Sequence, residues 1–90
     1  MALVQPYVFR LFFNSEDEAS DAKDQLLNSR IYSDSIKTVN KDDPAKWKVI
    51  FAELDMITAK KAVMKLNPQP RAADYFDPKD EWGSVFKPVL

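Results

Sequence analysis

The sequence predicts an α+β domain with two helices on one face of a four-stranded antiparallel sheet, and three observations predict it. An aromatic-rich run followed by an alanine-and-leucine run over Tyr7–Leu27 returns about forty residues later over Trp47–Leu66. A shift of 40 places Ala19 on Ala59, Ala22 on Ala62 and Leu26 on Leu66. Apolar residues alternate with period two in the first part of each copy and recur at helical spacing in the second, so each copy reads as a strand feeding an amphipathic helix.

The first strand is Val4–Phe13, with Phe9, Leu11 and Phe13 on its core face and Val8, Arg10 and Phe12 on the other. Pro6 fits the strand start, where a missing N–H costs little. Ser15 and Glu18 have the spacing of a capping box and open a helix over about Ser15–Asn28, with Ala19, Ala22, Leu26 and Leu27 inward. Ile31–Val39 is a shorter second strand, and Asn40–Pro44 is a turn. Trp47–Leu54 is the third strand, with Ile50, Ala52 and Leu54 assigned to the core and Trp47, Val49, Phe51 and Glu53 to the opposite face. Asp55 caps a second helix carrying Ala59, Ala62, Val63 and Leu66 inward, which Asn67-Pro68-Gln69-Pro70 ends. Residues 1–70 form the α+β core. An aromatic and acidic segment, 71–90, supplies an edge strand near Ser84–Leu90 that Pro88 confines to the edge. The order β-α-β-β-α-β with an internal echo is similar to the ferredoxin-like split βαβ sandwich.

Composition limits the chemistry. Ninety residues with 46% hydrophobic and 12% aromatic content make one domain with a real core. Thirteen basic against fourteen acidic residues leave a charge of −1, which marks neither a nucleic-acid binder nor an acidic mimic. Cysteine and histidine are absent and Gly83 is the only glycine. The chain therefore lacks the usual zinc ligands, the usual neutral-pH base and a glycine-rich phosphate loop. No cofactor or metal is expected, and enzyme function is disfavoured. The carboxylate pairs Asp42/Asp43 and Asp80/Glu81 lack the alternating spacing of a calcium loop and read as surface charge. The first residues lack a basic stretch followed by a long apolar one, and no apolar run reaches the ~20 residues of a membrane span. A cytoplasmic setting is expected, with no membrane partner.

Three features point to function. The sheet face away from the helices is expected to show Arg10, Phe12, Trp47, Val49 and Phe51, an apolar patch of the kind that marks a binding or dimer surface. The competing reading has the C-terminal segment cover it. That segment interleaves Tyr75, Phe76 and Trp82 with acids, as docking segments do, or completes the domain's own core. The helices also differ in charge: Glu16, Asp17, Glu18, Asp21 and Asp24 stand against Lys23 in the first, and Lys60, Lys61 and Lys65 against Asp55 in the second. Such a dipole orients a charged partner, or describes two ordinary solvated faces.

The run Trp47–Leu54, Asp55 and the helix Ala59–Asn67 resembles the third strand and second helix of an RNA-recognition motif. That resemblance implies a single-stranded RNA partner stacked on Phe12 and Phe51 with Arg10, Lys37 and Lys48 nearby. Trp47, Lys48, Val49 and Ile50 depart from the motif's basic, small and aromatic positions. The element order is also similar to the sporulation-related peptidoglycan-binding repeat, which implies export. The reading taken forward is a small non-enzymatic protein-binding or regulatory module of the kind a phage or mobile element uses against a host protein. Its partner surface is Arg10, Phe12, Trp47, Val49, Phe51, Tyr75, Phe76 and Trp82, with a homodimer through the sheet as a further partner mode.

Overall fold

A computed structural model describes residues 5–39, 46–78 and 87–89 of the chain. Strand β1, Tyr7–Phe13, starts directly after Pro6 and places Phe9, Leu11 and Phe13 at 0% exposure. Helix α1, Glu16–Asn28, begins where the Ser15 hydroxyl accepts the Glu18 amide N–H at 3.2 Å. Strands β2, Ser33–Lys37, and β3, Trp47–Glu53, follow, then helix α2, Met56–Met64. Strand β4 is Ala72–Phe76 and β5 is Lys87–Pro88. The turn expected at Asn40–Pro44 lies outside the described residues.

The five strands form one antiparallel sheet in the order β2-β3-β1-β4-β5. Buried residues of both helices join one cluster with Phe9, Leu11, Phe13, Val49 and Phe51 of the sheet, so both helices lie on the same face. The α+β class therefore holds, and among the described residues the strands number five rather than the expected four. The fourth strand is Ala72–Phe76, not Ser84–Leu90; only Lys87–Pro88 of that later run is a described strand. Ala72–Phe76 lacked apolar contrast in the sequence because its partner supplies it. Ala73 and Tyr75 align with Leu11 and Phe9 on the core face, while Asp74 aligns with Arg10 on the other.

The internal echo is a core repeat. Ala19, Ala22 and Leu26 of α1, and Ala59, Ala62 and Leu66 of the α2 region, are all at most 5% exposed. Small alanines bring each helix close to the sheet, and the volume beneath them is filled from the sheet side by rings. Phe51, Phe9 and Tyr75 form a row across β3, β1 and β4, with centroid distances of 4.8 and 5.8 Å. This complementarity corrects the assignment of faces on β3. Register pairs Phe51 with Phe9 and Val49 with Leu11, so Val49 and Phe51 are core residues at 0% and 2% exposure. Ile50 and Ala52 turn to the opposite face, and Leu54 lies past the strand at 59% exposure. Leu27 is likewise half exposed, not inward.

The end of α1 shows what a glycine-poor chain does at a helix stop. Arg30 takes φ 62°. Its N–H reaches the Leu27 carbonyl and the Ile31 N–H reaches the Leu26 carbonyl, both at 2.9 Å. These are the two bonds of a Schellman motif, with buried Ile31 and Leu26 as its apolar pair. The position favours glycine, since a Cβ there costs about 1–2 kcal/mol. Arg30→Gly is expected to raise the melting temperature by a few degrees, part of the relief being offset by glycine's greater unfolded-state entropy. A melt in which Arg30→Gly is no more stable than the parent would show that the strain is relieved elsewhere.

Helix α2 is held at both ends by side chains. The Gln69 amide donates to the carbonyls of Val63, Met64 and Leu66 at 2.7–3.0 Å. Gln25 of α1 exchanges two hydrogen bonds with the Asn67 backbone at 2.8 and 2.9 Å, which ties the helices together. At the start, Asp55 accepts from the Thr58 hydroxyl at 2.7 Å and the Ile57 N–H at 3.0 Å. These bonds, the Thr58 hydroxyl first, hold the Asp55 carboxyl below its ordinary pKa. A carboxyl lowered in the folded state adds stability above its unfolded pKa, and that stability fades as pH falls toward the folded value. Asp55→Ala is expected to melt a few degrees below the parent at neutral pH. The gap should narrow once pH drops through the ordinary carboxylate range; a pH-independent gap would mean the charge plays no part.

Candidate functional site: the open face of the sheet

Pleating alternates side chains, so fixing Phe9, Leu11 and Phe13 inward puts Val8, Arg10 and Phe12 outward. Register carries this face across the sheet. Arg10 lies opposite Ile50 on one side and Asp74 on the other, and Asp34 and Pro88 extend the same row. The flanking rows hold Phe12 with Ile36, Lys48 and Ala72, and Val8 with Ala52 and Phe76. Each of these residues is half-buried or exposed, and among the described residues no helix or strand covers them.

The centre of the face is an ion pair. The Arg10 guanidinium donates from Nε and Nη2 to the two Asp74 carboxylate oxygens at 2.7 and 2.6 Å. The fork geometry fixes the two side chains against each other on the open face, although exposures of 29% and 22% keep the contribution to stability small. The same guanidinium lies 5.4 Å from the centre of the Phe12 ring. Apolar Val8, Phe12, Ile50 and Phe76 surround this anchored charge pair, and Lys48 and Asp34 stand further out with opposite signs.

Of the residues expected on this surface, Arg10, Phe12 and Phe76 are on it. Trp47, Val49 and Phe51 are not. All three point to the helix side, where Val49 and Phe51 are buried and Trp47 packs half-buried on the core. Tyr75 also faces the core, its ring 6.2 Å from Tyr7 and 5.8 Å from Phe9. Trp82 lies outside the described residues. Sequence reasoning missed Ile50, which it assigned to the core, and Asp74; Val8 was placed on the outward face and Lys48 named for RNA, but neither was counted in the protein-contact surface. The signal for Asp74 was a carboxylate in an otherwise apolar pentad, which marks the solvent side of a strand once a strand is placed there. Lys37, named for RNA, aligns with Trp47 on the helix side.

A second concavity lies between the end of α1 and the start of β2. It measures about 260 Å³ and is lined by Lys23, Asp24, Leu27, Ile31, Tyr32 and Ser33. Among the described residues the buried Ser33 hydroxyl has no hydrogen-bond partner. Among the described residues no three carboxylates converge as metal ligands, and no helix is long and apolar enough to cross a membrane. No family model, curated protein or solved structure matches this chain.

Proposed function

We propose that this chain is a non-enzymatic protein-binding module of the ferredoxin-like type, and that its contact surface is the open sheet face. The fold name rests on the order β2-β3-β1-β4 and the two β-α-β halves, with β5 as an addition at the edge. The observation that carries the function is the apolar ring of Val8, Phe12, Ile50 and Phe76 around the Arg10–Asp74 pair. Aromatic and arginine side chains held rigidly at the middle of an exposed face are the anchor composition of protein interfaces. A cytoplasmic regulator that occupies a surface of another protein, as phage and mobile-element proteins do, fits this size and the lack of cysteine. The test is affinity capture by the tagged protein, with and without nuclease, for the parent, Phe12→Ala and Ile50→Glu. A nuclease-resistant partner retained by the parent and lost by both variants supports the reading; a partner indifferent to both moves the interface off this face.

One observation favours RNA as a second reading: half-buried Phe12 stands on the outward face of the central strand with Arg10 against its ring and Lys48 directly opposite. Stacking on Phe12 would then be joined by phosphate contacts, without Phe51, which the core occupies. Binding that vanishes with nuclease and falls steeply with salt would select this reading over the first.

A further inference from the structure

The two edges of the sheet are not alike. At β5 the Val89 N–H donates to the Ala73 carbonyl at 3.0 Å, so the main-chain groups of Val89 and, two residues away, Lys87 point at β4. Pro88, between them, is turned to the outside, where it offers no donor. Among the described residues the sheet ends on this strand, and a proline at its outward position closes the edge there.

Among the described residues, no strand pairs with the outer edge of β2. Thr38 donates its N–H to the Lys46 carbonyl at 2.9 Å, so by the same period Thr38, Ile36 and Asp34 direct their main-chain groups to β3. Ser33, Ser35 and Lys37 direct theirs outward. The strand carries no proline, glycine or bulge, and it is flanked by Tyr32 and Val39 at 83% and 96% exposure. These are the features that proteins remove from an edge meant to stay single.

We propose that two copies of the chain join through their β2 edges, antiparallel about a two-fold axis at Ile36, to make one continuous sheet. A two-fold axis perpendicular to the sheet preserves its faces, so the residue on the axis meets its own copy. Centring on Asp34 or Lys37 sets like charges face to face, which is destabilising. Centring on Ser35 sets the Asp34 carboxylate against Ile36 of the other copy. Centring on Ile36 joins isoleucine to isoleucine, Ser35 to Lys37, Asp34 to Thr38 and Ser33 to Val39. It uses all three outward-facing residues of the strand, and it partly covers Ile36 and Val39, which are 44% and 96% exposed in the single chain. With Pro88 closing the β5 edge, an isologous pair that consumes both β2 edges leaves no open edge among the described strands to extend a filament, so growth stops at two.

The experiment is sedimentation velocity over a concentration series for the parent, Ser35→Pro, Ile36→Lys and Phe12→Ala, with circular dichroism on each. The parent is expected to approach twice its 10.4 kDa mass as concentration rises. Ser35→Pro removes an outward N–H that no internal ladder bond uses, so it should stay folded and monomeric. Ile36→Lys changes only a half-exposed side chain and puts two lysines on the axis, so it should also be monomeric; it decides the matter should Ser35→Pro fail to fold. Phe12→Ala lies off the edge and should dimerise like the parent, which separates this proposal from the role of the open face. A parent that stays monomeric throughout, or a dimer that survives in folded Ser35→Pro and Ile36→Lys, overturns the proposal.

Discussion

Leu26→Asp is expected to leave the chain without a cooperative thermal transition. Leu26 is 1% exposed, sits in the last turn of α1, and joins Ala19 and Ala22 in the stripe that meets the sheet. Its carbonyl also accepts the Ile31 and Ser29 N–H groups that close the helix, so the side chain is held where the backbone is least free to yield. Removing a buried leucine side chain costs about 2–5 kcal/mol. Burying an unpaired carboxylate adds several more, and among the described residues no polar or charged residue is buried in the core to pair with it. A domain of this length has on the order of 5–10 kcal/mol of stability, so the sum matches or exceeds the whole of it. Leu66→Asp, the equivalent position of the second repeat at 3% exposure, should behave alike. Circular dichroism on heating checks both: a parent-like melt in either variant means that its helix stripe is misassigned.

These two positions are also where the sequence was most readable. The repeated spacing of Ala19, Ala22 and Leu26 and of Ala59, Ala62 and Leu66 had one physical solution, a helix lying close on a sheet, and all six residues are buried. The caps were as plain, because a hydroxyl or carboxylate before an apolar-periodic run has a fixed geometric task. Ser15 and Asp55 both perform it. The β3 faces were not legible for the opposite reason. Val49 and Phe51 on one side and Ile50, Ala52 and Leu54 on the other are both apolar, and a period of two cannot choose between two greasy faces. The choice is made by the partner strand: β1 has one unambiguous inward set, and register hands that preference to β3. The same dependence hid β4. Its pentad of two alanines, an aspartate and two aromatics has little strand signature until Arg10 supplies a partner for Asp74. The candidate site inherited both errors, since three of its expected residues sat on the misassigned β3 face and its ion pair needed the misplaced strand.

Phe51→Ala and Phe12→Ala are expected to separate core from surface on the same sheet. Phe51 is 2% exposed, and its ring lies parallel to Phe9 at 4.8 Å with an interplanar angle of 7°. Truncation opens a cavity beneath two helices whose facing residues are mainly alanines, too short to fill it by a change of rotamer. The cost should fall at the usual phenylalanine core value of about 3–5 kcal/mol. Phe12 is half-buried, on the face without helices, and its loss should cost about 1 kcal/mol or less. Urea unfolding reads both: the midpoint should drop sharply for Phe51→Ala and little for Phe12→Ala, with the slope unchanged if unfolding remains two-state. The order matters for function as well as for fold. Loss of a partner in Phe51→Ala would then reflect a weakened domain, whereas loss in Phe12→Ala, with the fold intact, would report the contact surface itself. If Phe12→Ala proves the more damaging of the two, the β1–β3 register is wrong by one residue, and the open face is built from Trp47, Val49 and Phe51 after all.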